Sequence, residues 1–273
     1  MKLMTLNTHS LVEENYEEKL KEFVKGVIAE KPDIIALQEI NQSVCGDVVK
    51  GKIEGYFPSC KGIKIKSDNH LLTVFKMLKK EGLFYHFTMT PMKKSYGKYE
   101  ECVGIMSLSH IEEISLATVS DIDSYDNWKT RKIIGIRVRN FSDKWFYSVH
   151  FGWWTDNEEP FSKQWERVIS HIKNQGEVWL MGDTNAPELS GESYEEIQKS
   201  GFHDSYTLAE KKDEGYTVAK VIDGWKDKIS DTDGMRIDQI WCSKKTPVKS
   251  SRVVFNGKYY NEVSDHSGVV VEV

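Results

Sequence analysis

The chain has no long basic tract. Its 42 acidic residues outnumber 37 basic ones, for a net charge of −5, so it lacks the electrostatic footprint of nonspecific nucleic-acid binding. That balance argues against nucleic acid as a partner, although a local basic patch is compatible with it. No apolar run approaches the roughly 20 residues that a membrane span needs, and no membrane partner is expected. The opening stretch Met1 to Asn7 has no signal-peptide apolar core with a cleavage site, so a cytoplasmic location is expected. Cysteine is sparse: Cys45, Cys60, Cys102 and Cys242 are scattered without metal-like spacing, which suits reduced thiols. No repeat and no shift in composition marks a boundary, and one domain over 1–273 is expected. With 39% hydrophobic and 11% aromatic residues, the chain has ample material for a core.

Hydrophobic periodicity predicts the elements in order. Leu3 to Thr8 reads as a short buried strand. Leu20, Phe23, Val24, Val27 and Ile28 recur at helical spacing, and Pro32 closes that helix. Asp33 to Glu39 reads as a second buried strand. Strand, helix and strand in this space predict parallel pairing through a right-handed crossover, with Asn7 and Glu39 at the same sheet edge. Residues 40–68 show little periodicity and read as an excursion loop. A helix follows over Asn69 to Glu81. Short strands are expected at Phe84–Thr90, Cys102–Leu108, Ile114–Val119, Lys132–Arg139 and Trp145–Phe151, with turns such as Ser142-Asp143-Lys144 between antiparallel pairs. Phe161, Trp165, Val168, Ile169 and Ile172 mark another long helix, leading into a strand over Glu177–Met181. A short helix at Tyr194–Lys199, a loop-rich stretch to about 235, and strands at Arg236–Trp241, Arg252–Phe255 and Ser267–Val273 complete the chain. The fold class is α/β, with helices covering two sheets.

The chemistry gathers at strand ends. After the apolar run to Leu180 comes Met181-Gly182-Asp183-Thr184-Asn185. Alternate strand residues share a face, so Asp183 and Asn185 look into one site if strand geometry persists. A carboxylate beside an amide suits orienting a water and holding a phosphate oxygen. The same five residues also suit an ordinary turn, since Gly, Asp and Asn form turns. Asn7, Glu39, His150, Asp238, Asp265 and His266 likewise end or interrupt apolar runs. Any one of them is readily a cap or turn residue. Together, at corresponding strand ends, they are better read as partners for one another. They supply hard oxygen ligands suited to Mg²⁺ or Mn²⁺, two imidazoles and an amide.

The motifs Leu6-Asn7-Thr8-His9, Ile35-Ala36-Leu37-Gln38-Glu39, Ser148-Val149-His150, Gly182-Asp183-Thr184-Asn185, Arg236-Ile237-Asp238-Gln239-Ile240 and Ser264-Asp265-His266-Ser267 resemble, in this order, those of the endonuclease/exonuclease/phosphatase superfamily. That resemblance implies a DNase I-like, four-layer α/β sandwich of two packed mixed β-sheets flanked by helices. It also implies a phosphoesterase site at one sheet edge, with Mg²⁺ or Mn²⁺ as cofactor. By position, Glu39 resembles the central metal ligand, with Asn7 and Asp265 close by. Asp183 resembles the residue that orients or activates the attacking water, and Asn185 the phosphate-orienting amide. His266 resembles the phosphate-contacting histidine, its tautomer held by Asp238. His150 resembles the second histidine, a candidate acid for the leaving oxygen. Whether Asp183 or His266 takes the water proton stays open. Glu101 falls where some members place a carboxylate beside His150; a solvated charge at a strand start is the alternative. Many members carry Asp where this chain has His9, which leaves the metal count open.

Two stretches bear on the substrate. Asp126-Asn127-Trp128-Lys129-Thr130-Arg131-Lys132 is a basic-aromatic cluster in which Arg131 suits bidentate phosphate contact; an ordinary loop charge is the alternative. Trp153 and Trp154 directly follow His150-Phe151-Gly152 and would be costly to expose without a ligand or lid. Stacking on a sugar ring is one reading, and packing under the helix beginning near Pro160 is the other. The chain looks most like the branch of small bacterial phosphatases that includes maltose 6'-phosphate phosphatases, which implies a sugar phosphomonoester as substrate. A DNA nuclease is the first rival and would rely on Lys61, Lys64, Lys66, Lys93, Lys94 and Lys98. A non-catalytic binding protein on the same scaffold is the rival of another class.

Overall fold

The computed structural model describes residues 1–188, 191–218 and 234–273. The 219–233 part of the expected loop-rich stretch lies outside them.

The first strand, β1 (Lys2–Asn7), leads through a 3-10 turn (Ser10–Val12) into helix α1 (Tyr16–Glu30) and then β2 (Ile34–Ser43). β1 and β2 pair in parallel, as the strand-helix-strand pattern predicts, with Asn7 opposite Gln38. Helix α2 (His70–Lys80) is capped by Asn69, whose side chain accepts from the Leu72 amide at 2.9 Å. Then come β3 (His86–Ser95), β4 (Tyr99–Ser107), β5 (Ile111–Thr118), β6 (Lys132–Val138) and β7 (Phe141–His150). A second crossover carries β7 through α3 (Phe161–Ile172) to β8 (Glu177–Asp183), again parallel. Past α4 (Glu192–Lys199) lie β9 (His203–Asp204), α5 (Ser205–Leu208), β10 (Ala209–Lys212), β11 (Asp238–Cys242), β12 (Val248–Val254) and β13 (Gly268–Glu272).

Two mixed sheets result. One is seven-stranded in the order β10-β12-β13-β1-β2-β4-β3, the other six-stranded in the order β5-β6-β7-β8-β11-β9. Strand alternation explains how they pack. Leu3, Ile34 and Ala36 meet Phe146, Trp179, Met181 and Ile240 in a core between the sheets. The intervening Met4, Ile35 and Leu37 face Phe23, Val27, Leu71 and Phe75 of α1 and α2. On the far side, Val178 and Leu180 face Trp165, Val168 and Ile172 of α3. With both faces buried, these strands read as nearly continuous apolar runs. The layers are helix, sheet, sheet, helix, the DNase I-like sandwich. Among the described residues no helix is long and apolar enough to cross a membrane.

Two local expectations need correction. β2 does not stop at Glu39 but runs on to Ser43, because a bulge between Leu37 and Ile40 preserves its pairing with β4; the excursion loop starts at Val44. The β6–β7 turn lies at Arg139-Asn140, where Val138 pairs with Phe141, so Ser142 to Lys144 already belong to β7. The polar turn formers there sit on strand β7, whose first residues are only partly buried or exposed. The stretch after α4, expected to be loop-rich, also contributes the short β9 and β10 to the two sheets. β3 contains Pro91, which an edge strand tolerates because one side of it makes no ladder.

Candidate active site

Sheet pairing brings the polar strand ends together. Parallel β7 and β8 place His150 opposite Asp183, and antiparallel β11 places Asp238 opposite Asp183 on the other side. Asp183 continues the inward parity of Trp179 and Met181, so its carboxylate enters the cleft between the sheets. Gly182 makes that approach feasible. Its φ is 151°, and a Cβ there would lie 2.0 Å from the Val149 carbonyl oxygen and 2.9 Å from Gln38 Nε2. Gln38 in turn ties the sheets together through Ser148 Oγ at 3.0 Å.

Asp183 is 2% exposed. Its Oδ1 accepts the Asn185 amide N–H at 2.9 Å and its Oδ2 accepts from Asn7 Nδ2 at 3.2 Å. The same Oδ2 is 3.6 Å from His150 Nε2 and 4.0 Å from His266 Nε2. Burial, and then the neighbouring Asp238, push its carboxyl up to about 7. His266 donates from Nδ1 to Asp238 Oδ2 at 2.9 Å. Burial alone would lower its pKa, but Asp238, Asp183 and Asp265 outweigh burial and hold the imidazole well above its ordinary value. His150 behaves oppositely. Burial, reinforced by Arg131, Lys93 and His266, holds it well below the ordinary range, so it is neutral. One histidine is charged and the other is not, with Asp183 between them.

Asn185 adopts φ 47° and commits a side-chain N–H to the Phe151 carbonyl at 3.0 Å. The left-handed backbone stops the strand at Asp183, so strand alternation does not carry on to Asn185.

Glu39 also has a left-handed backbone, φ 50°. In a regular strand it would share the face of Ile35 and Leu37, toward the helices. The bulge turns it instead, and it accepts from Asn7 Nδ2 at 2.9 Å. Burial, then Glu101 and Asp265, raise its pKa. Carboxylates that repel one another in a cleft offer the hard oxygen donors a divalent cation takes, so Glu39 and Asp265 could hold such an ion, whereas Asn7 turns its Nδ2 donor to Glu39 and Asp183. His9 is placed otherwise. Its Nδ1 donates to Glu13 at 2.7 Å and its Nε2 meets the Tyr96 hydroxyl at 3.1 Å. Burial lowers its pKa, yet Glu13, Asp265 and Glu39 prevail and hold it at about 9. His9, Glu13 and Asp265 converge closely, as do Asp183, Asp238 and His266. In each group the histidine is already committed to a carboxylate.

Glu101 is 4% exposed, which overturns the solvated-charge alternative. Its Oε1 lies 3.8 Å from His150 Nδ1 and 3.2 Å from Lys93 Nζ. Arg131 is also buried, not an ordinary loop charge; its Nη1 donates to the Trp128 and Thr130 carbonyls. It feels Glu101, Asp183 and Glu39. Trp153 and Trp154 stack on each other with centroids 4.3 Å apart. They pack on Val218 and Ile237. Ile237 precedes Asp238, so this wall borders the site.

Sequence reasoning missed Lys93 and Glu13. Lys93 read as one of several loop lysines, yet it lies opposite Glu101 in the β3–β4 ladder and is buried. Strand alternation separates it from Lys94, but the buried partner is visible only after pairing.

Residues 4–266 match the model of the endonuclease/exonuclease/phosphatase family, and the chain belongs to that family, whose members are generally metal-dependent phosphoesterases. A family protein from Leptotrichia buccalis C-1013-b superposes with a TM-score of 0.87 at 29% identity, covering 100% of this chain and 98% of that one. The Bacteroides thetaiotaomicron VPI-5482 mannosyl-6-phosphatase gives a TM-score of 0.65 at 16% identity, covering 100% and 98%. A 3'-5' exonuclease from Neisseria meningitidis gives 0.64 at 18% identity, covering 100% and 99%. At such identities the last two share the fold alone. No curated protein matches the chain.

Proposed function

We propose that this chain is a Mg²⁺-dependent phosphomonoesterase that hydrolyses a sugar phosphate in the cytoplasm by direct attack of water, within one domain. The observation that carries the reading is Asp183 held between a protonated and a neutral histidine, with buried Arg131 electrostatically coupled to it. An acid, a base and an anion-binding cation thus share one cleft.

In this reading Asp183 takes the proton of the attacking water. Its pKa near 7 suits a base working at neutral pH, while His266 already carries a proton and serves as a donor to a phosphoryl oxygen. Asp238 keeps that imidazole charged and fixed. Asn185 orients the phosphoryl group. His150, neutral in the free site, gains a proton when a phosphate dianion enters beside it and then passes it to the leaving sugar oxygen, with Glu101 behind its Nδ1. Glu39 and Asp265 would hold the cation, with Asn7 beside them. Bound there, Mg²⁺ or Mn²⁺ offsets the charge that develops on the phosphoryl oxygens. Arg131 grips the phosphate, and the Trp153–Trp154 face stacks on the sugar.

The neighbouring mannosyl-6-phosphatase supports the sugar-phosphate assignment by fold alone, and maltose 6'-phosphate is the first disaccharide ester to try. Phosphate release from sugar phosphates, nucleotides and supercoiled DNA, with Mg²⁺, Mn²⁺ or chelator, tests the reading. Metal-dependent release from a sugar phosphate, lost in His266→Ala, upholds it; DNA nicking without sugar-phosphate turnover replaces it with nuclease. One observation favours that rival: a groove of about 540 Å³ lined in part by Lys61, Lys64, Lys66, Lys132 and Tyr125. A log-affinity against log-salt slope near zero for duplex DNA would remove it.

A further inference from the structure

The cleft has two chemically different sides. Toward Asn7, Glu39 and Asp265 it is acidic. Toward β3 and the start of β6 it holds two cations, Lys93 at 6% and Arg131 at 5% exposure. Arg131 directly precedes β6 of the other sheet, and burial and then Arg131 make the Lys93 charge costlier. Lys93 has one carboxylate partner, Glu101 at 3.2 Å. Among the described residues Arg131 has no carboxylate at ion-pair distance, and its Nε has no hydrogen-bond partner. His150 Nδ1 is likewise buried without one. Buried polar atoms are rarely left so, and these surround one place. Arg131 feels Glu101, Asp183 and Glu39 without pairing with any of them, so its unpartnered Nε and the spare donors of Lys93 are the groups a further anion would meet here.

We infer that Lys93, together with Arg131, reads the second negative charge of a terminal phosphoryl group and thereby makes the site selective for phosphomonoesters over diesters. The inference rests on the phosphoesterase reading above. A monoester dianion presents three non-ester oxygens and about two charges; a diester presents two such oxygens and one charge. Lys93 donates to an oxygen that a diester lacks, or carries as an ester. Its pairing with Glu101 positions the ammonium without consuming its donors, since an ammonium has three. The side chain comes from β3, the edge strand of the seven-stranded sheet.

The test uses Lys93→Gln, Lys93→Arg and the double variant Lys93→Gln/Glu101→Gln, which removes both charges of the pair and guards against a fold lost to an unpaired carboxylate. Kinetics are read on p-nitrophenyl phosphate and bis(p-nitrophenyl) phosphate, and binding of inorganic phosphate is read by calorimetry. In Lys93→Gln, kcat/KM for the monoester should fall about thirtyfold and that for the diester no more than about threefold, with phosphate affinity down about tenfold. Lys93→Arg should recover most of the monoester preference. The double variant should keep the loss. Equal losses on both esters with unchanged phosphate affinity, or recovery in the double variant, would overturn the role and leave Lys93 as a counterion of Glu101. If the wild type turns over neither ester while Lys93→Gln still weakens phosphate binding, the phosphoesterase reading fails and the anion-reading role stands.

Discussion

The two parallel crossovers of this molecule, β1–α1–β2 and β7–α3–β8, are built alike and do opposite things. Each runs from a buried strand through an amphipathic helix to a second buried strand, and each brings a carboxylate into the same cleft. In the first, β2 passes through its carboxylate and carries on, a bulge and a left-handed φ turning Glu39 out of register. In the second, β8 ends on its carboxylate, with Asp183 already facing inward and Asn185 bending the chain away. Glu39 is crowded by Glu101 and Asp265, an arrangement relieved by a cation. Asp183 is flanked by imidazoles and tuned to about 7, an arrangement suited to moving protons. The same supersecondary unit delivers a carboxylate crowded by other carboxylates or one flanked by imidazoles, depending on which charges the other sheet places beside it.

The most severe way to break that contrast is Asp183→Asn, which keeps the shape and removes the base. We expect kcat to fall about 10³-fold or more with KM little changed, measured by steady-state phosphate release. Gly182→Ala attacks the junction between the two units. With φ at 151° and the Val149 carbonyl in the way, it should cost about 3 kcal/mol or more of stability in a urea titration. Glu39→Gln probes the other carboxylate. Divalent-cation affinity should drop about 100-fold by calorimetry, while the metal-free protein melts higher because a repelled charge is gone; a lower melting temperature would contradict the crowding. Adding Mg²⁺ should raise the melting temperature of the wild type and not of this variant.

The mildest test lies under α1 and α2, away from the chemistry. His70 is buried, meets the Tyr16 hydroxyl at 2.9 Å, and is held by burial at about 3. Its folded pKa is depressed, so the neutral form is the one folding selects. Its contribution is complete above the unfolded value of about 6.5 and is lost as pH falls from there through about 3. Between pH 6 and 4 it should steepen the loss of stability by about 1.4 kcal/mol per pH unit. His70→Asn should flatten that slope in denaturant titrations across pH.

Much of the first crossover was legible because a strand buried on both faces cannot hide its apolar run, and a helix cannot hide its 3.6 period. The same holds for β7, α3 and β8. Element ends were less legible. Ser142-Asp143-Lys144 reads as a turn by composition, and only the pairing of Val138 with Phe141 shows that it is strand. β9 and β10 are too short to carry a period at all.

The candidate site divides in the same way. His150, Asp183, Asn185, Asp238 and His266 could be gathered from the order of short motifs, because residues at strand ends move little once the strands are paired. Glu39 was assigned its place although strand parity alone would have aimed it at the helices; the bulge decided that. For Glu101 the sequence leaves two readings open, a carboxylate beside His150 or a solvated charge, and Lys93 reads as a loop lysine, because a lone charged residue near a strand start carries no mark of burial. What the sequence alone determined was local: which segments are apolar on both faces, where they end, and which polar groups wait at those ends. Burial, charge state and partner are set by residues far along the chain. It took the packing of two sheets to protonate His266, keep His150 neutral, and enclose Lys93 with Glu101.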